Sequence, residues 1–236
     1  MYFFSGCPCQ VAGVRSFFKA NENLFTVDIV CHGVPSPELF ADVFRKLKQQ
    51  IPSLISYNFR KLDSWAGCNS VNVDIKKGRN KINYPLTGEL TFYQDAFMKG
   101  LISRPACYVC KYTTIERVGD ITLADFWGIG QVKPLNAEYQ LGCSMVSVNS
   151  NKGNELFNKI RSNLFSEERS IEETIDGGNH QIVNPSYKPK ARDHFYDDYR
   201  RMRIDKLIKK YDLKILRKDN LLQRIKNKIK TTIGNQ

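Results

Sequence analysis

The sequence contains no apolar run approaching the ~18–20 residues a helix needs to cross a bilayer. Its start lacks the basic segment, apolar stretch and small-residue cleavage site of an export signal. Neither a transmembrane helix nor an exported product is therefore expected. No internal repeat is present. Acidic residues are scarce, 24 Asp and Glu against 36 Lys and Arg, a formal net charge of +12. Most of that excess lies past Tyr187, and the basic tail has little aromatic content after Tyr211 on which bases could stack, so nucleic acid is not an expected partner. An acidic partner or a membrane surface suits such a basic tail better.

What is present is a chain of 236 residues and 27.2 kDa, long enough for one large core and an appendage. Its seven cysteines are odd in number and spread widely, which suits a disulfide framework poorly. Without an export signal they are expected to stay reduced in the cytoplasm.

The first thiols mark the centre of the chain. An apolar run at residues 1–5 reads as a buried strand, breaks at Gly6, and leads through Cys7-Pro8-Cys9 into a helical pattern over 10–20 carrying Val11, Val14, Phe17 and Phe18. Residues 24–30 (LFTVDIV) form a second strand ending at Cys31. Strand, short helix and strand make a βαβ unit with parallel strands and a right-handed crossover. Cys7, Cys9 and Cys31 then share the carboxyl edge of the sheet, where open α/β sheets bind ligands. A thiol at a helix start feels N–H donors and the positive helix end, so a lowered pKa is expected.

Further along, Ser36 is a natural N-cap and Pro37 a natural first residue for a helix over 37–50. Strands are expected at 53–60, at 70–76 paired with 80–84 across Lys77-Gly78, at 120–126 and at 141–149, with helices at 90–101 and 152–163. The glycine turn Trp127-Gly128-Ile129-Gly130 follows the strand at 120–126. The fold class read from this pattern is α/β, mixed with α+β: a βαβ start, a largely parallel sheet, extra antiparallel strands and a basic helical C-terminal tail. The corresponding domains are 1–165, a loop region at 166–190 and the tail at 191–236.

Cys107 and Cys110 form a C-x-x-C in a polar, aromatic loop, a spacing that suits iron–sulfur clusters, zinc and redox disulfides alike. With Cys9 and Cys31 they make four thiolates, enough for a 4Fe-4S cluster or a structural zinc. Cys7 is a fifth and is read as spare, because two thiols in C-P-C hardly ligate one metal together. Cys68 and Cys143 read as core packing, and His32 as a hydrogen-bond partner rather than a ligand or proton donor. Asp120 and Asp125 bracket an apolar strand and are either turn formers or part of a pocket. Arg15, Arg60 and Lys61 are natural contacts for an anionic organic cofactor.

Taken in order, GCPCQ, VDIVCHGVPSPELF, NFRKLDSW, RPACYVCKY and GDITLADFWGI resemble the coenzyme F420 hydrogenase/dehydrogenase beta-subunit family, in its C-terminal domain, over about residues 1–165. The resemblance implies an oxidoreductase, or its electron-transfer subunit, working with a redox partner protein. It would pass electrons between a 4Fe-4S cluster and FAD, the deazaflavin coenzyme F420 as substrate, or another organic acceptor. It implies Cys9, Cys31, Cys107 and Cys110 as cluster ligands, with Asn58, Arg60, Lys61, Asp120, Asp125, Trp127 and Gly128 bordering the flavin. Members often begin with a ferredoxin-like cysteine-rich segment, so a short variant or a start at an internal Met is expected here. The competing expectations are a zinc-stabilised interaction module and a member that keeps the fold without catalysis.

Overall fold

A computed structural model describes residues 1–19, 21–60, 72–77, 79–85, 91–139 and 141–213. Lys61, Cys68 and the tail from residue 214 onward lie outside the described residues. The chain separates by contact into two units that alternate along it. The first combines Met1–Val34 with Pro105–Ser186, and the second combines Pro35–Arg104 with the chain from Tyr187 onward.

The first unit is built on strands β1 (Tyr2–Gly6) and β2 (Leu24–Ile29), joined by helix α1 (Pro8–Phe18). The two strands pair in parallel, Phe3 beside Phe25 and Gly6 beside Asp28, as expected of a βαβ unit. Proline suits the first helical position, where its missing N–H costs nothing, and Pro8 occupies it in α1. The sheet continues through strands that come much later in the sequence. A strand at Ile121–Asp125 pairs in parallel with β2, and one at Ser144–Val148 runs antiparallel beyond it. A helix over Asn151–Arg161 follows, capped by Ser150, whose Oγ accepts the Gly153 N–H at 3.0 Å. Gly153 has no room for a side chain, since a Cβ there would meet the Asp120 carbonyl oxygen at 2.2 Å.

The second unit opens with helix α2 (Pro37–Gln50). Ser36 caps it by accepting the Leu39 N–H, and Leu39, Val43 and Leu47, one turn apart, form its buried stripe. Three strands follow as an antiparallel meander: β3 (Leu54–Asn58), β4 (Asn72–Lys77) and β5 (Asn80–Pro85). The β4–β5 hairpin closes with Lys77 opposite Asn80. Helix α3 spans Phe92–Met98. In chain order the two later strands of the first unit are β6 (Ile121–Asp125) and β7 (Ser144–Val148), and its helices are α4 (Asn151–Arg161) and the short α5 (Ile171–Asp176).

The architecture is thus mixed α/β, a mostly parallel four-stranded sheet in one unit and an antiparallel three-stranded sheet in the other. Helices α6 (Arg192–Arg201), which carries three Arg and three Asp, and the basic α7 (Ile204–Lys210) supply core to the second unit. Phe195, Leu207 and Leu213 are fully buried there. The Phe195 ring lies 6.1 Å from Phe92, 6.5 Å from Tyr199 and 5.0 Å from Tyr211. Asp42 accepts hydrogen bonds from Tyr199 and Lys46, tying α6 to α2. Phe195→Ala is therefore expected to cost about 3–5 kcal/mol, the range for deleting a buried aromatic. Chemical denaturation would measure it; a loss well under 1 kcal/mol would mean that α6 is a solvated appendage.

Candidate metal centre

The geometry of the first unit sends its strand ends, and the thiols beyond them, to one edge. Cys7 follows β1 directly and Cys9 lies in the first turn of α1. Cys31 lies two residues past β2, and Cys107 sits within a 3-10 turn at Pro105–Val109, with Cys110 just after it. Because β7 runs antiparallel, its first end meets the last end of β6, and this brings Cys143 to the same edge. Phe126 N–H donates to the Cys143 carbonyl at 2.8 Å. Cys143 is half-buried, not packed into the core as the sequence suggests, because it precedes its strand instead of lying within it.

The thiols are close enough to sense one another. Cys31 Sγ lies 3.8 Å from Cys7 Sγ, with the Cys31 thiol donating. Burial pushes the Cys9 thiol up, and Cys31, Cys110 and Cys107 push it further, against a smaller lowering by its own backbone amide. This reverses the lowered pKa expected of a thiol at a helix start. Partial loss of hydration at this largely exposed residue, with three neighbouring sulfurs, outweighs the helix terminus. Cys31 is raised too, first by its hydrogen bond with Cys7 and then by burial, against the opposing pull of the Gly33 N–H and Arg117.

Consecutive backbone amides serve two of the sulfurs. Gly33 N–H donates to Cys31 Sγ at 3.4 Å, and Val34 N–H donates to Cys107 Sγ at 3.3 Å. Gly33 reaches this arrangement with a φ of 109°, a conformation natural to glycine. The loop after β2 therefore turns its N–H groups toward its own Cys31 sulfur and toward that of the distant Cys107.

Behind this edge lies a buried ion pair that sequence reasoning missed. Arg117 Nη2 stands 3.3 Å from Asp28 Oδ1, with side chains 3% and 0% exposed. Arg117 also donates to the carbonyls of Ile29 at 3.1 Å and Tyr112 at 3.0 Å, and Gly119 N–H donates to Asp28 Oδ2 at 3.0 Å. One guanidinium thus joins the end of β2, just before Cys31, to the segment just after Cys110. The signal in the sequence is the lone Asp28 inside the apolar run LFTVDIV, since a charge there needs a buried partner.

The remaining expected site residues separate. Asp120 is buried at the other end of β6, where its carboxylate accepts from the Thr26 N–H and hydroxyl, both at 2.8 Å, and from Ser150 Oγ at 2.7 Å. Burial alone would raise its pKa, but those donors and Lys152 overcome it and hold the carboxyl below its ordinary range. Asp125 and Trp127 are on the thiol-bearing edge, with the Asp125 carbonyl accepting from buried Asn179 at 2.8 Å. Gly128, at φ 78°, packs on the backbone of Gly177, whose Cα an added Cβ would meet at 2.5 Å. His32 is pushed down by burial and by His180, against the upward pull of Asp125. Asn58 and Arg60 belong to the second unit, where Asn58 donates to Asp74 at 3.1 Å. Arg15 donates to the Val118 carbonyl.

Among the described residues, no three His, Cys, Asp or Glu side chains close tightly enough to grip a single metal ion. A 4Fe-4S core asks for something looser, because each thiolate binds its own iron. Cys31, Cys107 and Cys110 lie near enough to Cys9 for its thiol to feel all three.

The first unit is thus an α/β unit with several thiols at one sheet edge, two of them served by backbone amides. Over residues 1–174 the chain matches the family model for the C terminus of the coenzyme F420 hydrogenase/dehydrogenase beta subunit, and it belongs to that family. No curated protein matches it significantly. The family is one of oxidoreductase subunits, in keeping with an electron-transfer role, and a beta subunit implies a partner subunit. No described helix is long and apolar enough to cross a membrane.

Two measurements check the scaffold. Arg117→Ala strands the Asp28 charge and is expected to cost about 3–5 kcal/mol. The double replacement of Arg117 and Asp28 should cost less than the sum of the single changes, as a double-mutant cycle would show. Because the folded pKa of Asp120 lies below its unfolded value, its contribution is full at neutral pH and fades as pH falls through the folded pKa. Asp120→Asn should therefore be less stable at pH 7 and approach the parent protein below about pH 4. A stability gap that stays constant with pH would contradict this.

Proposed function

We propose that this chain is an iron–sulfur electron-transfer subunit whose first unit holds a 4Fe-4S cluster on Cys9, Cys31, Cys107 and Cys110. The observation that carries the reading is the gathering of these thiols from three separate segments, with adjacent amides of Gly33 and Val34 donating to the sulfurs of two of them. Such a cluster supplies one-electron transfer when bound.

The chain's own groups set the conditions for that chemistry. Cys9 and Cys31, whose thiols are pushed up, would have to give up their protons to hold a cluster as thiolates, so loading would release protons. Amide donors to the sulfurs offset negative charge on the ligands, which moves a cluster potential upward. Arg117 adds a buried positive charge within reach of Cys31 and fixes both ligand-bearing segments. Cys9 is exposed, which puts one ligand at the surface where an electron can leave for a partner.

The two-electron partner we assign to the same function is FAD or the deazaflavin coenzyme F420. Among the described residues, Asp125 and Trp127 support it, since they share the thiol-bearing edge of the sheet. Asp120 and Gly128 are accounted for by packing, and Asn58 is engaged within its own sheet. The basic tail from residue 214 is assigned to an acidic partner surface.

Anaerobic purification followed by iron and sulfide analysis tests the proposal. The expected result is about four irons and four sulfides per chain and a brown protein. Cys31→Ser and Cys107→Ser should each lose most of the iron while keeping the far-ultraviolet circular dichroism of the parent. Stoichiometric zinc without sulfide, or a colourless protein after reconstitution, would overturn it.

A further inference from the structure

A 4Fe-4S cluster takes four thiols, and beside the four assigned to it the same edge carries Cys143 and Cys7, of which Cys7 lies in contact with a ligand. Cys7 precedes α1, and its sulfur is the one to which Cys31 donates, at 3.8 Å. Gly6 pairs with Asp28 across parallel neighbouring strands, so the two cysteines leave adjacent strand ends. The register sets Cys7 level with Ile29, two residues short of Cys31, and the chain beyond β2 leaves the two sulfurs 3.8 Å apart, close enough for a small shift to join them. Both side chains are part-buried, and Gly6 and Gly33 flank them with little side-chain bulk.

We propose that Cys7 and Cys31 form a disulfide when the protein carries no cluster, which withholds Cys31 from iron until a reductant restores it. The inference rests on the reading of Cys31 as a cluster ligand. In the loaded protein iron holds Cys31, and Cys7 stays a thiol. Once Cys31 is free, the oxidant is a small-molecule disulfide of the glutathione type. The Cys7 sulfur attacks one oxidant sulfur, forming a mixed disulfide and releasing one small thiol. The Cys31 sulfur then attacks the Cys7 sulfur, closing the protein disulfide and releasing the second small thiol. Two protein thiols lose two electrons and two protons, and one small disulfide gains both as two thiols. Cys9, exposed and in the first turn of α1, remains outside the pair.

The experiment uses the full chain freed of iron and incubated with glutathione disulfide. Free thiols are then alkylated, and the protein is digested and mapped by mass spectrometry, with fragmentation separating Cys7 from Cys9. The expected result is a linked peptide joining Cys7 to Cys31. Iron uptake should then be at least tenfold slower without dithiothreitol than with it. Cys7→Ser keeps a favourable capping residue at the start of α1 and should load iron equally fast in both conditions. Alkylated Cys7 and Cys31, or a link between Cys107 and Cys110 in their place, would overturn the proposal. So would a Cys7→Ser protein that fails to bind iron under reducing conditions, since Cys7 would then be a ligand. A Cys7–Cys31 link in a protein that never takes up iron would uphold the disulfide and overturn the iron-centre reading instead.

Discussion

The thiol edge depends on one buried charge pair. Arg117 and Asp28 are almost without solvent, and neither could remain ionised there alone without a large desolvation cost. Together they bind strand β2 to the loop that carries Cys107 and Cys110, and they set Cys31 and the C-x-x-C segment at one place. A hydrophobic contact would join the same segments with less control over direction. A guanidinium with several fixed donors specifies where each carbonyl goes, and so where each neighbouring sulfur goes.

The two units solve the problem of burial differently. The second gathers a continuous apolar cluster from Leu39 through Leu213, with stacked rings at its centre. The first relies more on polar order. Asp28, Asp120, Thr26 and Thr122 are all buried in or beside its sheet, each with a partner. A sheet held this way has its strand ends, and the thiols just beyond them, fixed by hydrogen bonds with particular directions.

Much of the local structure was legible because it follows from short-range chemistry. The βαβ start, the Ser36 cap and the β4–β5 hairpin each announce themselves within a few residues through period, capping or turn composition. The family likeness was legible for a related reason, since GCPCQ and the C-x-x-C keep their chemistry in short strings. What sequence could not display was long-range. Nothing near β2 says that its next neighbour is β6, and Arg117 gives no local sign that its partner is Asp28. Cys143 read as core from its strand or loop context, whereas the antiparallel direction of β7 puts it on the thiol-bearing edge. The core residues of α6 and α7 were diluted by charge: Phe195, Leu207 and Ile208 sit among Arg, Lys and Asp, and the amphipathic period is short.

The alternation of the two units along the chain has a consequence for the order of events during synthesis. Val27 finds Ile121, and Asp28 finds Arg117, only after some ninety intervening residues have been made. Loop closure over such a distance is slow compared with local helix and hairpin formation. Cys7, Cys9 and Cys31 therefore leave the ribosome early and wait for Cys107 and Cys110. For that interval the first three thiols are an unfinished set, and the chain's assembly is timed by its longest contacts.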